Sequence, residues 1–460
     1  MNRGETLASM PNDLIPEILS RLPAKSIGRF RCVSKQWGSI LSRQDFTELF
    51  FTRSSARPRL LLVLQRSNGE LLFFSALQPQ NPYEKSLVVT ADYHMKLPGQ
   101  MCGYNICSLA SGLIYVPDFI TSEDVNKKSK RSGGVGVICN PIMGQCVRLP
   151  VQGNLRKSTS FLGFDPIDKQ FKVVGEVSPS FHGNHRILTL GTGKLSWRNN
   201  NHCPPYYCFS CQGINISGVF YYLAGNSTNF SDLLVCFDVK SEKFKVIEAE
   251  CFRDYPATRL INFKGKLGGI NFTYDADNAV VLSISFLEDV EKKEWSKYVY
   301  TFPMHEVRVR NVSVVGMTAR GEIVLVEKFT SKPFCVFFFN PEKNTFQTVE
   351  IQGVGVNGEA FETDYRVFTF VDHVEDIGVK IQVQHHSEKD EDEYGDQDEY
   401  GYPLYPHGDG NGYGYENGYG NGNGYLLYPY GYGYGYPYEY YGYPYEYWYP
   451  YGYWYRYGYQ

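Results

Sequence analysis

The chain has 460 residues, too long for one ordinary domain and enough for a small module beside a large one. Its formal net charge of -4 provides no global field that would favour nucleic acid. No run of about 18 or more apolar residues marks a membrane span.

The N-terminus, MNRGETLASM, lacks an apolar core, so no secretory signal is expected. The 11 cysteines are odd in number and widely scattered, which suits free thiols in a reducing compartment. Cytoplasm, nucleus or both are therefore the expected location. The Asn-x-Ser/Thr triplets at Asn215, Asn226, Asn229, Asn271 and Asn311 then carry no glycosylation meaning.

Residues 7–51 speak most clearly. Asn12 and Asp13 suit a helix N-cap, and Pro16 is early enough to sit in a first turn. Leu14, Ile15, Ile18, Leu19 and Leu22 then fall at helical spacing until Pro23 stops the run. Lys25 to Val33 predicts a second short helix with Ile27, Phe30 and Val33 on one side. Ser34 suits the N-cap of a third, which carries Trp37, Ile40 and Leu41. Asp45 to Phe51 is the fourth. Four helices this short cannot bury their apolar surface among themselves, so a partner or a neighbouring domain must complete them.

The segment MPNDLIPEILSRLPAKSIGRFRCVSKQW resembles the F-box, whose pattern runs LPxDLxxEILxRLPxKSLxRFRxVxKxW. Met10 stands where Leu is usual and Ile27 replaces another Leu. The resemblance implies an F-box over residues 1–52 that binds a Skp-type adaptor and, through it, a cullin. The family pattern maps the contact onto Met10, Pro11, Leu14, Ile18, Leu19, Leu22, Pro23, Ile27, Cys32, Val33 and Trp37. Pro11, Leu14, Leu22 and Pro23 are the favoured adaptor contacts, whereas Ile18, Phe30 and Trp37 suit internal packing at least as well.

Thr52 to Pro58, TRSSARP, reads as a linker, and beyond it the period changes from helix to strand. Residues 60–64 and 70–74 are apolar runs across Asn68-Gly69, a hairpin signal. One theme then recurs at 137–147, 162–173, 235–246 and 337–346. Asp or Asn leaves an apolar strand, a short turn follows, and a charged or amide residue leads into the next strand. Looser versions lie at 187–197 and 286–295.

The units fall near 57–97, 102–150, 159–200, 212–250, 258–303 and 312–352, the period of a four-stranded propeller blade. Asp364 to Val374 is one more strand, placed to complete the first blade and remove the open edge of a ring. The fold expected is thus α+β multidomain, a small all-α module followed by an all-β six-bladed propeller over 57–375. Five or seven blades are compatible with the spacing, and a β-sandwich is the alternative. The NP…LP and DP…K…FKVV elements, with TGKLSWR between them, resemble the F-box-associated domain of plant F-box proteins. That resemblance implies capture of a target protein by the β domain without naming the target.

From residue 386 the chain turns acidic and then rich in Tyr, Gly and Pro, with 25 of the 38 tyrosines. Such a composition cannot bury enough mixed apolar surface to offset its ordering entropy, so disorder is expected.

Catalytic signals are weak. Cys208-x-x-Cys211 has a zinc-site spacing, but adjacent His202 and Cys203 leave the fourth ligand undefined, so packed thiols are the expectation. Gly133 to Gly136 lacks the Gly-Lys-Ser/Thr of a phosphate loop, and Lys127 to Ser132 reads as a solvated basic loop. No cofactor, no metal, no nucleic acid, no membrane and no catalytic residue are expected. The reading is a non-catalytic substrate receptor of a ubiquitin ligase. The alternatives are an F-box protein acting outside any ligase and a structural protein driven by the Tyr/Gly tail.

Overall fold

The structure, a computed structural model, describes residues 14–81, 86–101, 108–121, 134–151, 160–176, 185–191, 195–200, 207–208, 213–225, 233–252, 258–275, 279–302, 312–353, 364–379 and 381. Four helices come first: α1 (Leu14–Leu19), α2 (Ala24–Arg31), α3 (Lys35–Ile40) and α4 (Gln44–Ser55). The expected N-cap at Asn12 or Asp13 lies outside the described residues, as does the tail from 386.

Pro23 stands at the N-cap of α2 with φ −58° and supplies no side-chain cap. Ser34 caps α3 as expected: its backbone is extended and its Oγ accepts the Trp37 N–H at 3.2 Å. The Arg31 Nη2 donates to the Leu41 carbonyl at 2.7 Å, satisfying an orphan acceptor at the end of α3.

The linker reading of Thr52 to Pro58 is corrected, because α4 continues through Ser55. Thr52 and Ser55 turn their hydroxyls back to the carbonyls of Glu48 and Phe51, at 2.9 and 2.8 Å, and so remain helical despite their polarity. Only residues 56–58 separate α4 from the first strand.

The β domain is six sheets, antiparallel throughout except for one added edge strand in the sixth. Blade 1 orders Arg366–His373, Arg59–Gln65, Leu71–Leu77 and Asp92–Leu97. Blade 2 begins with a divided strand (Gln100–Met101 and Ser108–Ala110), then Leu113–Ile120, Val135–Asn140 and Gln145–Arg148. Blade 3 is Phe161–Asp165, Gln170–Glu176, His185–Thr189 and Arg198–Asn200. Blade 4 is again divided at its start (Tyr207–Cys208 and Ile214–Ile216), then Val219–Gly225, Leu233–Asp238 and Phe244–Glu248. Blade 5 is Arg259–Phe263, Lys266–Tyr274, Val280–Asp289 and Glu294–Phe302. Blade 6 is Val312–Met317, Ile323–Glu327, Cys335–Asn340 and Thr345–Gln352.

The apolar core shows why these sheets form a ring. Leu60, Leu62 and Leu64 pack on Val324, Val336 and Phe338 of blade 6. Their neighbours Leu61 and Val63 face the other way, onto Ile114, Val116 and Val137 of blade 2. The same two-sided burial continues between blades 2 and 3, 3 and 4, 4 and 5, and 5 and 6. A strand covered on both faces has no polar side to show, which explains unbroken runs such as RLLLVLQ.

The closing strand is where the sequence places it, with Leu61 opposite Phe370 and Val63 opposite Phe368. A second closure was not legible. Ser86–Thr90 leaves blade 1 and pairs in parallel with Thr345–Gln352, with Leu87 opposite Val349.

The recurring Asp or Asn is a turn former. Asn140, Asp165, Asp238 and Asn340 each accept a backbone N–H two or three residues ahead, from Met143, Ile167, Ser241 and Lys343. Three of these turns join the third and fourth strands of blades 2, 4 and 6, whereas 162–173 joins the first and second strands of blade 3. The repeat is therefore a local turn device, not a fixed position in the blade.

Candidate docking site

Helix α1 has two faces. Leu19 is buried and Ile15 is half-buried, packed with Ala24, Ile27, Leu41, Phe46 and Phe50 in one core. Leu14 and Ile18, one turn apart, stay 49% and 47% exposed. Scattered exposed apolar residues are ordinary, but these two lie on one helical stripe beside a core that is already filled. Val33, beyond α2, is 65% exposed.

The eleven residues singled out by the F-box pattern thus separate. Leu14, Ile18, Pro23, Cys32 and Val33 are exposed, and Leu22 and Trp37 are half-buried. Leu19 and Ile27 point inward, and they support the surface from beneath instead of forming it. Trp37 stacks on Phe30 at 5.4 Å between ring centroids. Met10 and Pro11 lie outside the described residues. Arg53 holds α1 to α4, donating to the Glu17 carboxylate and, at 3.2 Å, to the Glu17 carbonyl.

The other side of this module rests on the ring. Ile142 and Ile377 join its core, with Met143 beside them. Ile142 and Met143 form the turn of blade 2, and Asn140 of that turn donates from Nδ2 to the Val379 carbonyl at 3.1 Å. The chain after the closing strand is a strap. Ile377 enters the helical core, whereas Val379 and Ile381 pack against blades 2 and 3. Sequence reasoning missed these residues. The signal was present as the alternation Glu375, Ile377, Val379, Ile381, which continues a period of two beyond the closing strand.

Polar contacts complete the seat. Glu375 Oε2 accepts the Ala24 N–H at 3.1 Å, acting as a cap for α2 from far along the chain. Lys25 Nζ donates to the Tyr93 carbonyl at 3.1 Å. Arg59 lies beneath, donating to Ser75 Oγ at 2.8 Å and to Asp92, with Glu375 Oε1 at 3.9 Å. Burial pushes the Glu375 carboxyl above its ordinary range, against the pull of Arg59 and the Ala24 N–H. His94 Nε2 lies 2.7 Å from Ser75 Oγ, and burial with nearby Arg59 brings this imidazole down to about 4. His373 is fully enclosed and both ring nitrogens lack a hydrogen-bond partner among the described residues. Burial, with His94 and Arg59 nearby, takes it down to about 3.

Of the zinc candidates, His202, Cys203 and Cys211 lie outside the described residues, and Cys208 is placed only as part of a short strand. Among the described residues no three His, Cys, Asp or Glu side chains gather to hold a metal. Lys127 to Ser132 also falls outside them. Gly134 is a packing residue: a Cβ there would lie 2.5 Å from the Phe119 backbone, and its N–H donates to Asp118 Oδ1 at 2.8 Å.

The chain thus folds as a four-helix module seated on a closed six-bladed β-propeller. The F-box domain model matches residues 7–49, and the F-box associated beta propeller domain model matches residues 59–374. The chain belongs to the plant F-box proteins that carry an F-box-associated β-propeller domain. It is 51% identical over 381 residues to F-box protein At3g57590 of Arabidopsis thaliana, covering 80% of this chain and 91% of that one. Putative F-box protein At5g42430 of Arabidopsis thaliana is 46% identical over 389 residues, covering 82% and 93%. Among solved structures, YjhT is 10% identical and covers 63% of this chain and 97% of its own, with a TM-score of 0.36 that bears no argument.

Proposed function

We propose that the chain is the substrate-receptor subunit of a Skp–cullin–F-box ubiquitin ligase. It binds a Skp-type adaptor through the F-box and a target protein through the propeller. The observation that carries this reading is the exposed pair Leu14 and Ile18, on a module whose opposite side is already covered by its own ring. Val33, Pro23 and Cys32 extend the proposed contact, and Met10 and Pro11 join it by the F-box resemblance. A few apolar anchors dominate contacts of this kind.

The protein itself breaks no bond. It raises the effective concentration of a target beside a ubiquitin-charged enzyme. Cys32, Cys139, Cys146, Cys236, Cys251 and Cys335 are free, in keeping with a cytoplasmic or nuclear setting. Affinity purification of the full chain, with and without proteasome inhibition, tests the reading. A Skp-type adaptor and a cullin are expected in both samples, and a target enriched under inhibition. A folded chain that captures no Skp-type adaptor even at high micromolar concentration overturns it. Adaptor without cullin supports the second reading, an F-box protein acting outside the ligase.

A further inference from the structure

Cys139 and Cys146 are directly opposed on the third and fourth strands of blade 2. The Leu149 N–H bonds to the Gly136 carbonyl at 2.8 Å, which fixes the alternation of this ladder. Counting from that pair in the same register makes Cys139 and Cys146 a non-hydrogen-bonded pair, the type in which side chains approach most closely. The two sulfurs are 2.7 Å apart, with Cys146 Sγ directed at Cys139 Sγ. Such an opposed pair has the Cα and Cβ spacing a disulfide requires, without backbone movement. Cys139 is fully buried in the core between blades 1 and 2, whereas Cys146 is exposed on the outer strand.

We infer that Cys139 and Cys146 form a reversible peroxide-oxidised dithiol site. The exposed Cys146 meets the oxidant, since burial keeps the Cys139 thiol well above its ordinary range. The Cys146 thiolate attacks one oxygen of hydrogen peroxide, the O–O bond breaks, and the departing hydroxide takes up a proton as water. Cys146 is left as a sulfenic acid. The Cys139 sulfur then attacks that sulfur and releases its proton. The S–S bond forms, the S–O bond breaks, and a second water leaves. Two thiols are oxidised and one peroxide is reduced to two waters. A dithiol reductant reverses the reaction by exchange.

The bond closes the hairpin at the base of the turn that carries Ile142 and Met143, and Cys139 adjoins Asn140, which holds the strap at Val379. The site therefore lies directly under the seat of the F-box.

Trypsin releases both cysteines in one peptide, Ser132–Arg148. Full-length protein is treated with hydrogen peroxide, quenched, alkylated and digested. The expected result is this peptide lighter by two hydrogens and unalkylated, returning to the doubly alkylated form after dithiothreitol. Cys146→Ser, an exposed change, abolishes the lighter form and leaves Cys139 free to alkylate. In Cys139→Ser, provided its circular dichroism is native, dimedone traps a sulfenic acid at Cys146. A natively folded wild-type protein whose peptide stays doubly alkylated after peroxide overturns the inference. So does a Cys146→Ser protein in which Cys139 still becomes oxidised.

Discussion

The Glu375 carboxylate accepts the Ala24 N–H at 3.1 Å across 351 positions of sequence, joining the last part of the ring to the second helix of the F-box. Beside it, Ile377 is 1% exposed in the core of that module. Replacing Glu375 by Ala removes the cap and should destabilise the seat by about 1 kcal/mol. Ile377→Ala should cost about 2–5 kcal/mol through the cavity it leaves. Hydrogen exchange reads both, as faster exchange at the Ala24 amide and its neighbours while blade 4 amides stay unchanged. Exchange rising equally throughout the ring would contradict a local seat.

Three buried histidines contribute to the acid sensitivity. Burial lowers His94 and His185 to about 4 and His373 to about 3, from an ordinary 6.5. The unfolded chain takes up these protons first, so the stability they confer is complete above pH 6.5 and is lost as pH falls toward 4, and for His373 toward 3. Glu375, Asp372, Asp376 and Glu327 act oppositely, because burial raises each. Their folded forms hold protons that the unfolded chain has released, so they add stability as pH falls through their raised values. Denaturant midpoints of wild type and His373→Leu, compared from neutral pH downward, separate the histidine contribution from these opposing carboxyls. His373→Leu should lessen the slope by about one proton. Removing two unpartnered ring nitrogens should also raise stability at neutral pH by about 1 kcal/mol. A steeper slope in His373→Leu would refute the assignment.

Exposed and buried residues of the F-box should separate in their effects. Leu14→Ala and Ile18→Ala touch solvent-facing atoms, so the melting transition should move little. Each should weaken Skp-type adaptor binding by about 2 kcal/mol if it is an anchor. Ile27→Ala and Leu19→Ala empty the core, with an expected loss of about 2–5 kcal/mol of stability. Calorimetry of binding beside thermal melts distinguishes the two groups. Leu14→Ala with full affinity would remove it from the contact.

Gly134 should tolerate no side chain. A Cβ would meet the carbonyl carbon and nitrogen of Phe119 at 2.5 Å, and these are backbone atoms that cannot rotate away. Gly134→Ala should cost about 1–3 kcal/mol, whereas Gly144→Ala, with nothing within 4 Å but φ at +65°, should cost about 1 kcal/mol. Equal melts for wild type and Gly134→Ala would mean that the strand entering at Val135 sits farther from Phe119.

The blades were legible because each turn announces itself locally. Asn140, Asp165, Asp238 and Asn340 bond to backbone two or three residues ahead, so their meaning is contained in a short window. The Ser34 cap and the Asn68-Gly69 hairpin are local in the same way. The parallel pairing of Ser86–Thr90 with Thr345–Gln352 was not legible, since nothing in SLVVT names a strand more than 250 residues away. The strap was hidden for the same reason. Glu375 looks like a solvated charge until Ala24 and Arg59 are placed beside it. The extension of α4 through Ser55 was missed because Thr and Ser bond back to the helix they were expected to end.

The pairing of Arg59–Gln65 with Arg366–His373 is the suture of the circle, and the segment leaving it is the same one that anchors the helices. Handle and hoop consequently share one fastening. Peeling the final strand away would unzip the circle and loosen the handle in a single event, so the two are expected to melt together, not as beads on a thread.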